Sequence, residues 1–189
     1  MFRRVAVCGL ALAGGLIAPG AWAQSTVLDF EDLACARTQD SCEVGDQYMA
    51  RGFALRYTPA VDEPLAAGLT AVGPAWKFNK KGSVALSIRS CEAQATLMAN
   101  DNGSFNALSI ELAEVNGDGP SAVAFVGLHD DGTEVRQTMK LDGKAGWQKF
   151  SFTAGFRKLA SLQWTQGDCL NVRPHMVDNI ELQAAGVRP

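Results

Sequence analysis

Phe125-Val126-Gly127-Leu128-His129, the turn Asp130-Asp131-Gly132 and the run from Val135 to Leu141 form the stretch that decides the fold. Val135, Met139 and Leu141 fall on one side of a period of two, the repeat of a half-buried strand. Asp-Gly supplies a reversal in which glycine takes the positive φ that a tight turn needs. A β-hairpin is therefore expected here.

The same signals spread outward. Asn116-Gly117-Asp118-Gly119-Pro120 and Asp142-Gly143 punctuate the neighbouring runs, and Leu108-Ser109-Ile110-Glu111-Leu112 alternates apolar with polar residues. Strands are expected near 27–31, 52–57, 68–72, 83–89, 93–98, 107–113, 122–129, 135–141, 148–152, 159–164 and 177–182, with 104–164 running as a meander of four to five strands. The polar stretch 34–47 breaks the alternation and reads as a surface excursion. Few long runs carry a helical period, so the pattern predicts an all-β sandwich or barrel.

Met1-Phe2-Arg3-Arg4, the apolar run from Val5 to Ala18 and Ala21-Trp22-Ala23 have the three parts of a secretory signal peptide. Cleavage is expected after Ala23, with 24–189 as one domain; of 189 residues, removing 23 leaves 166. The apolar run is too short for a membrane anchor, so no membrane insertion is expected, and the exported product belongs in the periplasm or outside the cell. The whole chain has 17 basic and 20 acidic residues; losing Arg3 and Arg4 leaves 15 against 20, a formal charge of −5. Such a balance disfavours nucleic acid, whose binders carry clustered cations. The only dense basic spot is Lys77, Lys80 and Lys81.

Four cysteines remain after cleavage, Cys35, Cys42, Cys91 and Cys169. An even number in an exported chain favours two disulfides over free thiols, and four cysteines allow three pairings. Cys35 and Cys42 bracket a short polar loop, which makes Cys91 with Cys169 the natural second pair. No C-x-x-C spacing supports a zinc site.

The two histidines, His129 and His175, are far apart, and no G-x-S-x-G motif provides a nucleophile beside either. Glu111 and Glu134 fall on the wet parity of their strands, the ordinary place for charge. The expectation is a protein that is not an enzyme. Sugar sites use Trp and Tyr faces with directed polar groups around them. Trp76, in an irregular stretch, and Trp164, at a strand end beside Gln163, are the candidate ligand contacts, whereas Trp147 is expected to pack.

Leu28-Asp29-Phe30-Glu31-Asp32-Leu33 opens the chain after the signal, followed by Gly52-Phe53, the turn from Asn79 to Ser83, Gly146-Trp147 through Phe150 and Phe152, and a closing Asp178-Asn179-Ile180-Glu181-Leu182. Together these resemble the exported galactose-binding-like jelly rolls, a group with many carbohydrate-binding modules. The resemblance implies a two-sheet antiparallel β-sandwich of jelly-roll topology whose first and last strands lie side by side. It also implies a calcium ion at that edge, held by Glu31 and Asp178 with carbonyls from the Asn79–Ser83 turn, a ligand set suited to a hard cation. Asp178 shares parity with Ile180 and Leu182 and is expected to point toward the core. The functional expectation is a non-catalytic secreted module for extracellular or cell-surface glycan. The alternative is an exported structural sandwich that binds an extracellular protein and no small molecule.

Overall fold

Alternating runs between turn residues fold as strands throughout the computed structural model, which describes residues 25–60, 68–79, 82–88, 92–114, 121–165 and 175–185, apart from the side chains of 35 and 36. The strands are β1 (Ser25–Leu28), β2 (Ser41–Gly45), β3 (Gln47–Ala50), β4 (Phe53–Thr58), β5 (Leu69–Val72), β6 (Ala85–Ile88), β7 (Gln94–Ala99), β8 (Phe105–Glu114), β9 (Ala122–His129), β10 (Glu134–Lys140), β11 (Gln148–Ser151), β12 (Leu159–Thr165) and β13 (His175–Ala184). Short 3-10 turns occupy Ala34–Arg37 and Ala154–Phe156. The proposed signal segment lies outside the described residues. No helix among the described residues is long and apolar enough to cross a membrane.

The protein is an all-β, two-sheet antiparallel sandwich with jelly-roll topology. The first sheet runs β2-β5-β6-β13-β8-β11, with β1 pairing the second half of β13. The second runs β3-β4-β7-β12-β9-β10. One pair, Leu159 with Phe105, joins the two ladders. Between the sheets lies the main core, where Phe30, Leu55, Ile110, Phe125, Leu162 and Trp164 are at most 1% exposed.

The expected hairpin forms around Gly132 (φ 81°), with β9 and β10 paired from Leu128–Glu134 to Ala122–Lys140. Asp131 accepts the Thr133 N–H at 2.9 Å and its hydroxyl at 2.7 Å, and these bonds hold its carboxyl below the usual range. The meander does not form. β8 pairs β11, β12 and β13 rather than β9, so among the described residues β9–β10 is the only sequence-adjacent pair between 104 and 164. The 34–47 stretch also differs from its expectation: residues 41–45 pair β5, and β3 begins at Gln47, so it supplies the edge of each sheet. Both strands are short, and Glu43 puts a charge on the first, features that suit edges and discourage unwanted pairing.

The first sheet carries a second apolar cluster on its outer face. Val72, Ala85, Ala113 and Met176 are buried there, and Trp76, Phe78 and Trp147 pack over them. A third layer therefore covers part of this sheet.

Candidate functional site

Glu31 and Asp178 arrive at the same turn from opposite ends of the chain. Phe30 is fully buried with φ 55°, and the left-handed step after β1 turns Glu31 out toward residue 84. Glu31 Oε1 accepts the main-chain N–H of Val84 at 2.8 Å, and Asp178 Oδ2 accepts the Ser83 hydroxyl at 2.5 Å. Nearby, the Asn79 amide Nδ2 lies within 3.1 Å of three carbonyl oxygens, those of Val72, Gly73 and Ser83. An NH2 group has two hydrogens to offer, so three carbonyls gather around one weakly positive centre.

Asp178 is 1% exposed, but not for the reason its parity suggested. Asn179 has φ 48°, and the ladder shifts register between Asp178 and Glu181. Val177 and Ile180 both point into the main core, which leaves Asp178 on the opposite face, across from Glu111. Asn179 manages the two facing acids: its N–H donates to Asp178 Oδ1 and its side-chain amide to Glu111 Oε2, both at 2.7 Å. The donor set around Glu31 and Asp178 is all oxygen, which fits a hard cation in kind. No group of three His, Cys, Asp or Glu able to hold a metal occurs among the described residues, so any ion there depends on two carboxylates and carbonyls.

The opening segment that carries Glu31 is pinned by Tyr48, whose hydroxyl donates to Asp32 Oδ1 at 2.7 Å while its ring packs 5.3 Å from Phe30. Burial, then the hydrogen bond and charge of Asp32, push the Tyr48 phenol well above its ordinary range.

Neither candidate tryptophan stands alone on an open surface. Trp164 is 1% exposed and packs 5.8 Å from Phe125 in the main core, so its assignment as a ligand contact is corrected. Alternation explains the error: Leu162 and Trp164 point inward, whereas Gln163 and Thr165 point out. Trp76 is half-buried in the covering layer beside Phe78 and Trp147. The Lys77 ammonium lies 4.5 Å from the Phe78 ring centre.

The outer face of the second sheet is different. Cross-strand partners there form one row through all six strands: Gln47, Arg56, Thr96, Gln163, Val126 and Arg136. Thr58, Gln94 and Thr165 form a second row beside it. Gln47, Arg56, Thr58 and Arg136 are exposed and Gln94, Thr96 and Gln163 half-buried, so this face is wet. Gln94 Nε2 donates to Gln163 Oε1 at 3.1 Å, tying the rows together. At one end the surface sinks into a shallow depression of about 270 Å³ lined by Thr58, Pro59, Ala60, Glu92, Gln94 and Thr165. No aromatic residue and no carboxylate occupies either row; Glu92 sits in the depression and Glu134 is held by Arg136 at 2.6 Å. Sequence reasoning missed this face because its members are drawn from six separate strands.

It also missed a buried pair at one end of the sandwich. His175 and Glu114 are cross-strand partners, 1% and 2% exposed. Ser121 Oγ donates to Glu114 Oε1 at 3.3 Å, and Ser87 Oγ donates to the His175 carbonyl at 3.0 Å. Cys42 in β2 is disulfide-bonded; Cys91 and Cys169 and the side chain of Cys35 lie outside the described residues.

The chain matches no protein-family model and no curated protein. Solved structures similar to it include the CBM22-1 xylan-binding domain of Paenibacillus barcinonensis Xyn10C, with 12% identity, 88% of this chain and 97% of that one covered, and a TM-score of 0.48. A family 29 carbohydrate binding module from Piromyces equi, CBM29_1, has 10% identity over 87% and 91% of the two chains, with a TM-score of 0.45.

Proposed function

We propose that the protein is a non-catalytic secreted module for an extracellular or cell-surface glycan, and that the glycan lies across the outer face of the second sheet. The observation that carries this reading is the in-register row from Gln47 to Arg136, with the Thr58–Gln94–Thr165 row beside it. Strands repeat about every 4.8 Å, so a chain laid across them meets an amide, hydroxyl or guanidinium at nearly every step. Polyhydroxylated ligands need such paired donors and acceptors, since each buried hydroxyl must find a partner. The depression at the end of the rows offers room for one terminal unit.

Calcium belongs to the proposal as a structural ion, held by Glu31, Asp178 and neighbouring carbonyls, where it would neutralise two converging carboxylates. The pairs Cys35–Cys42 and Cys91–Cys169 and a periplasmic or extracellular location complete it. The disulfide at Cys42 supports an oxidising compartment. A ladder supports the second pair: Gln94 faces Thr165, and Cys91 lies three residues before the one, Cys169 four after the other.

The alternative, an exported sandwich that binds a protein, is favoured by Met49. It is 58% exposed on the edge strand β3 and faces Ala54 and then Met98 across the ladder, a short apolar row beside the polar ones.

Affinity electrophoresis in gels cast with soluble glycans tests the assignment. The double variant Thr96→Ala, Gln163→Ala should lose retardation, whereas Trp76→Ala should keep it. Loss in Trp76→Ala alone would move the ligand to the covering layer around Trp76. Retardation by no glycan, with loss of self- or partner association in Met49→Lys, would put the alternative first.

A further inference from the structure

We infer that the ligand of the open face carries carboxylates: the surface selects a uronate-bearing glycan through Arg56. The inference rests on the functional reading above and adds the chemical class of the ligand.

Arg56 sits in the second strand of the six-strand row, between Gln47 and Thr96, with its side chain exposed. The ion pairs among the described residues join Arg51 to Asp29, Arg136 to Glu134 and Lys149 to Glu181, and none involves Arg56. The other guanidinium of the row, Arg136, is thus already committed to a carboxylate, whereas Arg56 presents its charge to solvent. Acidic residues outnumber basic ones in this chain, 20 to 17, yet both rows of this face are free of carboxylate. The acids stand at the margins: Glu92 in the depression, and Glu134, which Arg136 neutralises.

The chemistry follows from the donors. A planar guanidinium meets a carboxylate through two parallel N–H bonds, with direction as well as charge. Gln47 and Thr96, its flanking partners, offer neutral donors and acceptors suited to the hydroxyls of the same sugar. The rows contain no aromatic ring, so the face has no stacking platform on which a neutral pyranose gains most of its affinity. Recognition must then come from hydrogen bonds, and a charge-assisted bond is about twice as strong as a neutral one. A neutral glycan can meet Arg56 only through bonds to hydroxyl oxygens, which leave its charge without a counterion.

The test uses three uronate-bearing glycans, polygalacturonate, alginate and glucuronoxylan, against methyl-esterified pectin, cellohexaose and unsubstituted xylan, by calorimetric titration at low and moderate salt. At least one uronate-bearing glycan should bind, about tenfold or more tightly than any neutral glycan. Arg56→Gln should weaken it about tenfold or more, Arg56→Lys by less, and added salt should weaken the parent protein more than Arg56→Gln. Equal binding of neutral and charged glycans, unaffected by Arg56→Gln, overturns the inference and leaves the glycan-binding reading in place. Binding of no glycan overturns both. Thermal midpoints of the two variants, expected within a degree or two of the parent because Arg56 is exposed, separate lost binding from lost folding.

Discussion

Glu31 and Asp178 accept hydrogen bonds from adjacent residues, the Val84 N–H and the Ser83 hydroxyl, and so clamp the first and last strands to one turn. Removing the Asp178 carboxylate leaves Ser83 Oγ and the Asn179 N–H in search of acceptors in a nearly closed environment. Asp178→Ala should therefore cost about 1–3 kcal/mol even in chelator, the penalty for an orphaned buried donor. If calcium binds there, it should raise the parent midpoint, with about 2.7 kcal/mol at a hundredfold excess over Kd. Asp178→Ala should abolish that rise. Thermal unfolding with calcium and with chelator reads both effects, and an equal rise in parent and variant would move the ion elsewhere.

Tyr48 provides a pH test. Its phenol is raised above its ordinary value of 10.0 by burial and by Asp32. The folded state thus favours the protonated form. Its contribution to stability is complete below pH 10 and is lost as pH rises from there toward the folded value. Ultraviolet titration should show a phenol that ionises late or only with unfolding, and Tyr48→Phe should remove that late component. The variant should also be less stable by about 1–3 kcal/mol at neutral pH, since the bond to Asp32 engages a carboxylate.

Two glycines with positive φ should respond differently to alanine. A Cβ at Gly68 (φ 61°) would lie 2.7 Å from the Gly45 carbonyl oxygen, in main chain that cannot swing aside, whereas one at Gly52 (φ 84°) would meet nothing within 4 Å. Gly52→Ala bears only the conformational cost, about 1–2 kcal/mol. Gly68→Ala adds a clash, and overpacking typically costs about 1–3 kcal/mol more. Chemical denaturation of both variants checks the order; equal losses would show that β2 and β5 separate freely.

The long disulfide is open to chemical mapping. Proteolysis of the unreduced protein should release a fragment joining Cys91 to Cys169. Replacing both with serine should cost about 4–5 kcal/mol on a chain-entropy estimate for so long a loop. Recovery of Cys42 joined to either of them would overturn both proposed pairs.

Every expected strand was legible because alternation and turn residues are local signals. The two that were missed, 41–45 and 47–50, are five and four residues long, with edge positions that relax the need for alternation. Pairing was less legible than strand existence: β8 finds β11 and β13 far along the chain, and nothing local to Glu114 announces His175 as its partner. Asp178 was found as a residue and misplaced as a side chain, because the left-handed Asn179 reverses the parity that the flanking apolar residues suggest. Trp164 was misassigned although Leu162, two residues away, already marked its face as inward. The open face around Arg56 had no signal in any single window, since each strand contributes one or two ordinary polar residues.

β13 lies at the centre of the first sheet, bonded to β1, β6 and β8, and it comes last in chain order among the described strands. Until residues 175–184 emerge, three earlier strands lack their shared partner, and the first sheet cannot close behind the ribosome as it grows. Folding of this sheet then waits for residues 175–184 and for closure of loops that reach back as far as β1, which slows it. A polypeptide with this wiring stays threadable until those residues have been made.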